Sequence, residues 1–208
     1  MGTGLVRFFR FPRANAAVAR GAGVIIVIEP AVQADIPALE ALIAASARAL
    51  GAGYYTAAET EAAITHVFGV DSDLVEDGSY LVARSGDGIA GCGGWSARRT
   101  LFGGDRFAAR ETGRLDPLVD AARIRAFFVA PECARSGVGA ALLAACESAA
   151  AAAGFARAAL MATLPGVPFY RRHGYVPGEP VVLDLSGVPV KFVPMDKNLL
   201  QECYGRIN

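Results

Sequence analysis

Two glycines, Gly137 and Gly139, follow an apolar strand and open an alanine-rich helix. The stretch reads Ile124-Arg125-Ala126-Phe127-Phe128-Val129-Ala130-Pro131, then Glu132-Cys133-Ala134-Arg135-Ser136-Gly137-Val138-Gly139-Ala140. A helix that starts on glycines straight after a strand presents free backbone N–H groups and the positive end of its dipole. Such a turn suits a phosphate or pyrophosphate, and a residue without a side chain lets an anion approach the backbone closely. The plainer alternative is a strand-to-helix connection with no ligand.

A second short apolar strand, 158–161, leads into Met161-Ala162-Thr163-Leu164-Pro165-Gly166-Val167-Pro168-Phe169-Tyr170-Arg171-Arg172-His173-Gly174-Tyr175. Pro168 suits the first turn of a short helix and Gly174 its C-terminal cap, with Phe169 and Tyr170 inside. Together the two segments resemble the GCN5-related N-acetyltransferase (GNAT) family. The family's acetyl-CoA motif, Gln/Arg-x-x-Gly-x-Gly/Ala, has its last two fixed positions at Gly137 and Gly139. Its first position is Ala134 here, with Arg135 beside it to supply the missing charge. The family's second signature, an aromatic-Tyr pair followed by a Gly-aromatic pair, is met by Phe169-Tyr170 and Gly174-Tyr175. The resemblance covers roughly residues 24–197.

The resemblance implies an α+β fold: a mixed, mostly antiparallel sheet of about seven strands, splayed between its fourth and fifth strands and flanked by about four helices. It implies acetyl-CoA as acyl donor, with pantetheine in the splay. Phe127, Phe128 and Val129 would then offer backbone groups to pantetheine and the acetyl carbonyl. Arg135, Ser136, Gly137, Val138, Gly139 and Ala140 would line the pyrophosphate, with Phe169 also at the cofactor. Tyr170 matches the family's tyrosine and is the candidate general acid. A thiol ionises near 8.5 and a phenol near 10, close enough for a proton to be shared at the sulfur. The other reading of Tyr170 is a core tyrosine whose hydroxyl caps a carbonyl.

The base is less legible. Many family members carry a glutamate on the fourth strand, and that position falls at Arg123, which cannot deprotonate an amine at neutral pH. Glu111 and Asp105 are candidates by location alone, with ordered water as the alternative. Arg123 and Arg125 alternate along the strand and project to one face. If that face is the cleft, two guanidiniums suit an acceptor carrying a carboxylate or phosphate; otherwise they are surface arginines. Tyr54, Tyr55 and Trp95 complete the candidate acceptor wall, with the rest of the stretch Cys92-Gly93-Gly94-Trp95-Ser96 and Arg98-Arg99. The function expected is direct acetyl transfer to an amine of a small molecule. The rival is a non-catalytic acyl-CoA sensor, kept open by Ala134 and by the arginine at 123.

The elements that must position these residues are readable from periodicity. Val24-Ile25-Ile26-Val27-Ile28 is a β-branched strand. A helix follows Pro37, with apolar positions at Leu39, Leu42, Ile43, Ala47 and Leu50. Thr56 and Glu59 form a capping box for a second helix that runs to Phe68. Strands at 80–83 and 89–95 flank the hairpin turn Ser85-Gly86-Asp87-Gly88. An excursion at 98–119 is too long for a tight hairpin. Two final strands, 181–185 and 190–195, turn at Ser186-Gly187.

The chain has 208 residues, 53% of them apolar, enough for one domain with a sizeable core. Lys+Arg and Asp+Glu balance at 20 each, so no electrostatic footprint marks nucleic acid or an anionic membrane as partner. The four cysteines and two histidines show no metal-ligand spacing. Free thiols point to the cytoplasm, and a homodimer is left open. Residues 1–23, with Arg7, Arg10, Arg13, Arg20 and no acid, read as a solvated extension, an organelle transit segment being the alternative. The domain is expected at 24–197, with a tail at 198–208.

Overall fold

Successive side chains of Tyr80-Leu81-Val82-Ala83 go to opposite faces of a strand, and all four are buried. This strand must therefore be covered on both sides, and the computed structural model shows that it is. It describes residues 17–21, 24–86 and 88–200. Leu81 and Ala83 pack with Leu142, Leu143 and Cys146 of one helix, while Tyr80 and Val82 pack with Leu39, Ile43 and Leu74 on the other face.

Among the described residues there are nine strands and five α-helices. The strands are β1 (Ala17–Gly21), β2 (Val24–Pro30), β3 (Tyr80–Ser85), β4 (Gly88–Ser96), β5 (Ala122–Val129), β6 (Arg157–Thr163), β7 (Val176–Pro177), β8 (Val181–Leu185) and β9 (Val188–Asn198). The helices are α1 (Ile36–Gly51), α2 (Ala57–His66), α3 (Ser72–Glu76), α4 (Val138–Ala152) and α5 (Val167–Arg172). The sheet runs β1-β2-β3-β4-β5-β6-β9-β7, with β8 on β9. Every pairing is antiparallel except β5 with β6.

The expected mixed α+β sheet is present, and its splay falls between β5 and β6, the fourth and fifth strands counted from β2. These strands pair only at Ala122↔Ala158 and Arg123↔Ala159. Beyond that point β6 stays with β9 through Thr163, while β5 stays with β4 through Val129. A wedge therefore opens along residues 124–129. Its shape is set by a β-bulge. The register slips between Cys92 and Gly94, so that Ala126 and Phe127 together oppose Gly93, and Ala126 has φ +53°. A bulge bends its strand and ends regular pairing, and a left-handed alanine costs about 1–2 kcal/mol.

Three elements were not anticipated. β1 pairs along its whole length with β2, within the stretch read as an extension. α3 is a five-residue helix, too short for a periodic pattern. β7 is two residues long. At the other end β9 runs to Asn198 and Leu199 is buried in the core. The arginines at 7, 10 and 13, Asp87 of the hairpin turn and Cys203 lie outside the described residues. The Thr56–Glu59 capping box forms: Thr56 Oγ1 accepts from the Glu59 N–H at 3.2 Å and Glu59 Oε2 from the Thr56 N–H at 2.7 Å.

The excursion between β4 and β5 is clamped onto the α2–α3 turn. The Gly104 N–H donates to Val67 O at 2.8 Å and the Asp105 N–H to Val70 O at 3.1 Å. Arg110 bridges Asp71, Asp73 and Asp105, and Arg106 pairs with Glu40. Among the described residues no helix is long and apolar enough to cross a membrane, and no cluster of His, Cys, Asp or Glu has the makings of a metal site.

Candidate active site

A cleft of about 970 Å³ occupies the splay. At one end lies the start of α4. The Ala141 N–H is bonded to Gly137 O at 3.0 Å, so the N–H groups of Val138, Gly139 and Ala140 are those an α-helix leaves free at its N-terminus. Arg135 and Gly137 both have positive φ, +63° and +93°. Turns of this kind aim successive N–H groups into one concavity. Arg135 has no acidic partner among the described residues, and its side chain faces solvent at the cleft mouth. Ser136 contributes differently from the expectation: its hydroxyl donates to Cys133 O at 2.6 Å and its side chain is not on the cleft wall. Val138 is buried in the core, so only its backbone can serve a ligand.

The wall of the wedge is β5. The Ala130 N–H donates to Ala90 O on the β4 side. By alternation the Val129 N–H faces away from β4, into the gap that β6 leaves open. Phe127, Phe128 and Val129 all line the cleft. Phe169 lines the cleft too, with the His173 ring tilted against it at 4.4 Å and the Tyr170 ring edge-to-face at 5.1 Å.

Tyr170 is buried, with its ring on the cleft wall and its hydroxyl bonded to no protein group among the described residues. Burial, with the Cys146 thiol nearby, pushes this phenol well above its ordinary value of 10.0. It is therefore neutral and holds its proton at any physiological pH.

Tyr55 acts as a strut. Its hydroxyl donates to Lys191 O at 2.6 Å and accepts from the Leu164 N–H at 2.9 Å, tying the α1–α2 turn to β9 and to the turn after β6. Burial pushes it up to about 12. Tyr54 stands at the lip, 52% exposed.

The structure separates the other candidates from the site. Trp95 packs in the core against Phe155 at 6.2 Å and does not reach the cleft. Arg123 sits where β5 still pairs with β6, outside the cleft. Arg125 does line it, but its side chain is fully buried, 2.5 Å from Asp71 and donating to Gly103 O at 2.5 Å. The difference arises because β5 still pairs with β6 at Arg123 and not at Arg125, where the buried Asp71 carboxylate holds the guanidinium. Arg98 pairs with Asp77, away from the site. Glu111 is exposed and Asp105 pairs with Arg110; neither lines the cleft.

Three rings that sequence order did not bring together close the far end: Phe68 after α2, Phe102 in the excursion and Phe192 on β9. Only their meeting in space reveals them. Arg172 and His173 also line the cleft, His173 Nδ1 lying 2.9 Å from Phe169 O.

Residues 76–177 match the acetyltransferase (GNAT) domain family. No curated protein sequence matches the chain. Solved structures do resemble it. The GCN5-related N-acetyltransferase of Rhodopseudomonas palustris superposes with TM-score 0.62 at 18% identity, over 89% of this chain and 99% of that one. The PaiA N-acetyltransferase of Thermoplasma acidophilum, solved with coenzyme A, gives 0.54 at 17%, over 83% and 98%. N-acetylglutamate synthase of Neisseria gonorrhoeae, solved with coenzyme A and N-acetyl-glutamate, gives 0.52 at 16%, over 84% of this chain but 35% of that one. At these identities the likeness is one of fold. With the sheet splayed at β5–β6 and the Gly137–Gly139 turn at its mouth, residues 76–177 of the chain are a domain of the GCN5-related N-acetyltransferase (GNAT) family.

Proposed function

We propose that the protein transfers the acetyl group of acetyl-CoA directly to an amine of a small molecule. The observation that carries this reading is the Tyr170 hydroxyl, without a protein partner among the described residues, on the wall of a cleft whose mouth is the start of α4 with its free N–H groups. The residues fit the donor that the family uses. The free N–H groups of 138–140 and the Arg135 guanidinium answer a pyrophosphate, and the open edge of β5 answers an extended amide chain.

The bound donor supplies an acetyl thioester, an acylating carbon with a thiolate leaving group. The Val129 N–H is placed to donate to the carbonyl oxygen as charge builds there. Tyr170 holds a proton for the sulfur and draws a replacement from solvent afterwards. The amine nitrogen bonds to the acetyl carbon as the carbon–sulfur bond breaks. No carboxylate lines the cleft among the described residues, so water carries away the proton that the amine loses. Arg125 is engaged by Asp71, and the reading needs no anionic group on the acceptor.

Thiol release from acetyl-CoA against a panel of amines tests it, with Tyr170→Phe alongside. Acceptor-dependent release that falls in the variant supports the transferase. Release that is absent with every amine, while CoA binds, rejects it in favour of a sensor.

A further inference from the structure

The end of the cleft away from α4 is walled by aromatic and aliphatic side chains: Tyr55, Val67, Phe68, Phe102, Met161 and Phe192. The rings form one connected group around Phe192. Its centroid is 6.5 Å from Tyr55, 6.2 Å from Phe68 and 5.9 Å from Phe102. The Phe68 and Phe192 planes stand 89° apart, in the edge-to-face arrangement that aromatic pairs prefer.

Two hydroxyls at this end are already engaged, while the Nε and Nη1 of Arg125, whose Nη2 bonds Gly103 O beside Phe102, carry no hydrogen bond among the described residues. The Thr60 hydroxyl donates to Thr56 O at 3.0 Å, and both bonds of the Tyr55 hydroxyl are internal. The charged side chains lining the cleft are Arg125, Arg135 and Arg172, all cations, with no Asp or Glu among the described residues there. A second ammonium on an acceptor would meet no counter-charge and would be desolvated against rings. The wall is also preformed. Hydrogen bonds from Gly104 to Val67 O, and from Arg106 Nη1 to Phe68 O at 3.0 Å, hold the loops that carry Phe102 and Phe68. A preformed apolar site loses less on ordering when it binds.

Building on the transferase reading, we propose that this pocket takes the apolar, aromatic body of the acceptor. The acceptor is then a monoamine on an aryl or arylalkyl frame, not a polyamine or an amino sugar. The chemistry is R–NH2 plus acetyl-CoA giving R–NH–COCH3 plus CoA thiol. One N–C bond forms, one C–S bond breaks, one proton leaves the amine for water, and one reaches sulfur from Tyr170.

The test is calorimetric titration of the CoA-loaded full-length protein with two product amides, N-acetyl-2-phenylethylamine and N-acetylputrescine. Burying a phenyl ring corresponds to about 10- to 100-fold in affinity, and the aromatic amide is expected to bind tighter by that factor. Phe102→Ala, at a partly buried position, is expected to erase most of the difference while CoA affinity stays unchanged. Equal or tighter binding of the putrescine amide, or no binding of either, overturns the proposal. Thiol release with the parent amines separates the two claims. Faster release with putrescine overturns the aromatic acceptor and leaves the transferase standing. No release with any amine, beside tight binding of the aromatic amide, rejects the transferase and keeps the pocket.

Discussion

The ring of Phe127 lies directly on Gly93, so that a Cβ built at the glycine would stand 2.5 Å from it. The contact joins the two strands at the bulge, with Ala126 and Phe127 together facing the one residue that has no side chain. Gly93→Ala must push the ring off or move β5. Overpacking of this kind costs about 1–3 kcal/mol, which lowers Tm by roughly 2–12 °C in a chain of this size. The variant should also raise KM for acetyl-CoA, since Phe127 walls the wedge. An unchanged Tm and KM would show that the bulge tolerates the methyl group and does not set the cleft.

Tyr170→Phe removes a hydroxyl with no protein partner among the described residues, so thermal stability should stay within about 1 kcal/mol of the parent. If the hydroxyl is the general acid, kcat should fall by about 10²- to 10⁴-fold with cofactor affinity kept. Stopped assays with calorimetry of CoA binding separate these terms. Loss of CoA binding alone would reassign Tyr170 to packing.

The pH profile follows from the direction of the Tyr170 shift. Burial raises its pKa above 10.0, so the protonated form persists to higher pH than in a free phenol. The rate of transfer should rise with pH as the acceptor amine deprotonates and should not decline up to about pH 10. Stability follows the same sign: the contribution of the neutral phenol is complete below its unfolded value near 10 and is lost only above it. A falling limb between pH 7 and 9 that Tyr170→Phe abolishes would refute this assignment.

Tyr55 ties the α1–α2 turn to β9 and to the turn after β6 through two hydrogen bonds, to Lys191 O and from the Leu164 N–H. Tyr55→Phe leaves both backbone groups unsatisfied in a half-buried place and should cost about 1–3 kcal/mol. Faster amide exchange at Leu164 and a raised KM for the acceptor, with KM for acetyl-CoA unchanged, are the expected signs. Protection at Leu164 equal to that of the parent would remove Tyr55 from this role.

Asp71 and Arg125 have fully buried side chains 2.5 Å apart. Asp71→Asn leaves the guanidinium without its charge partner, which typically costs about 3–5 kcal/mol. Burial already presses the Arg125 pKa down from 12.5. The double variant Asp71→Leu with Arg125→Met should recover much of the stability in urea unfolding. If the single variant is as stable as the parent, the pair is not what anchors the α3 turn to β5.

The sequence by itself determined the local elements, including those at the α4 end of the cleft. The β-branched run at 24–28, the Thr56–Glu59 cap, the Gly137–Gly139 turn and the Pro168-to-Gly174 helix each follow from backbone preferences within a few residues. The tertiary structure decided the aromatic end of the cleft, because its walls come from positions 55, 68, 102 and 192, which no local pattern links. It also divided Arg123 from Arg125 and placed Trp95 in the core. Alternation along β5 predicts one face for both arginines, but the wedge begins only after Arg123, and the charge of Asp71, from a distant turn, draws Arg125 inward. A strand period states which side of a chain a residue takes; only the packing of the other elements decides whether that side is core, cleft or solvent.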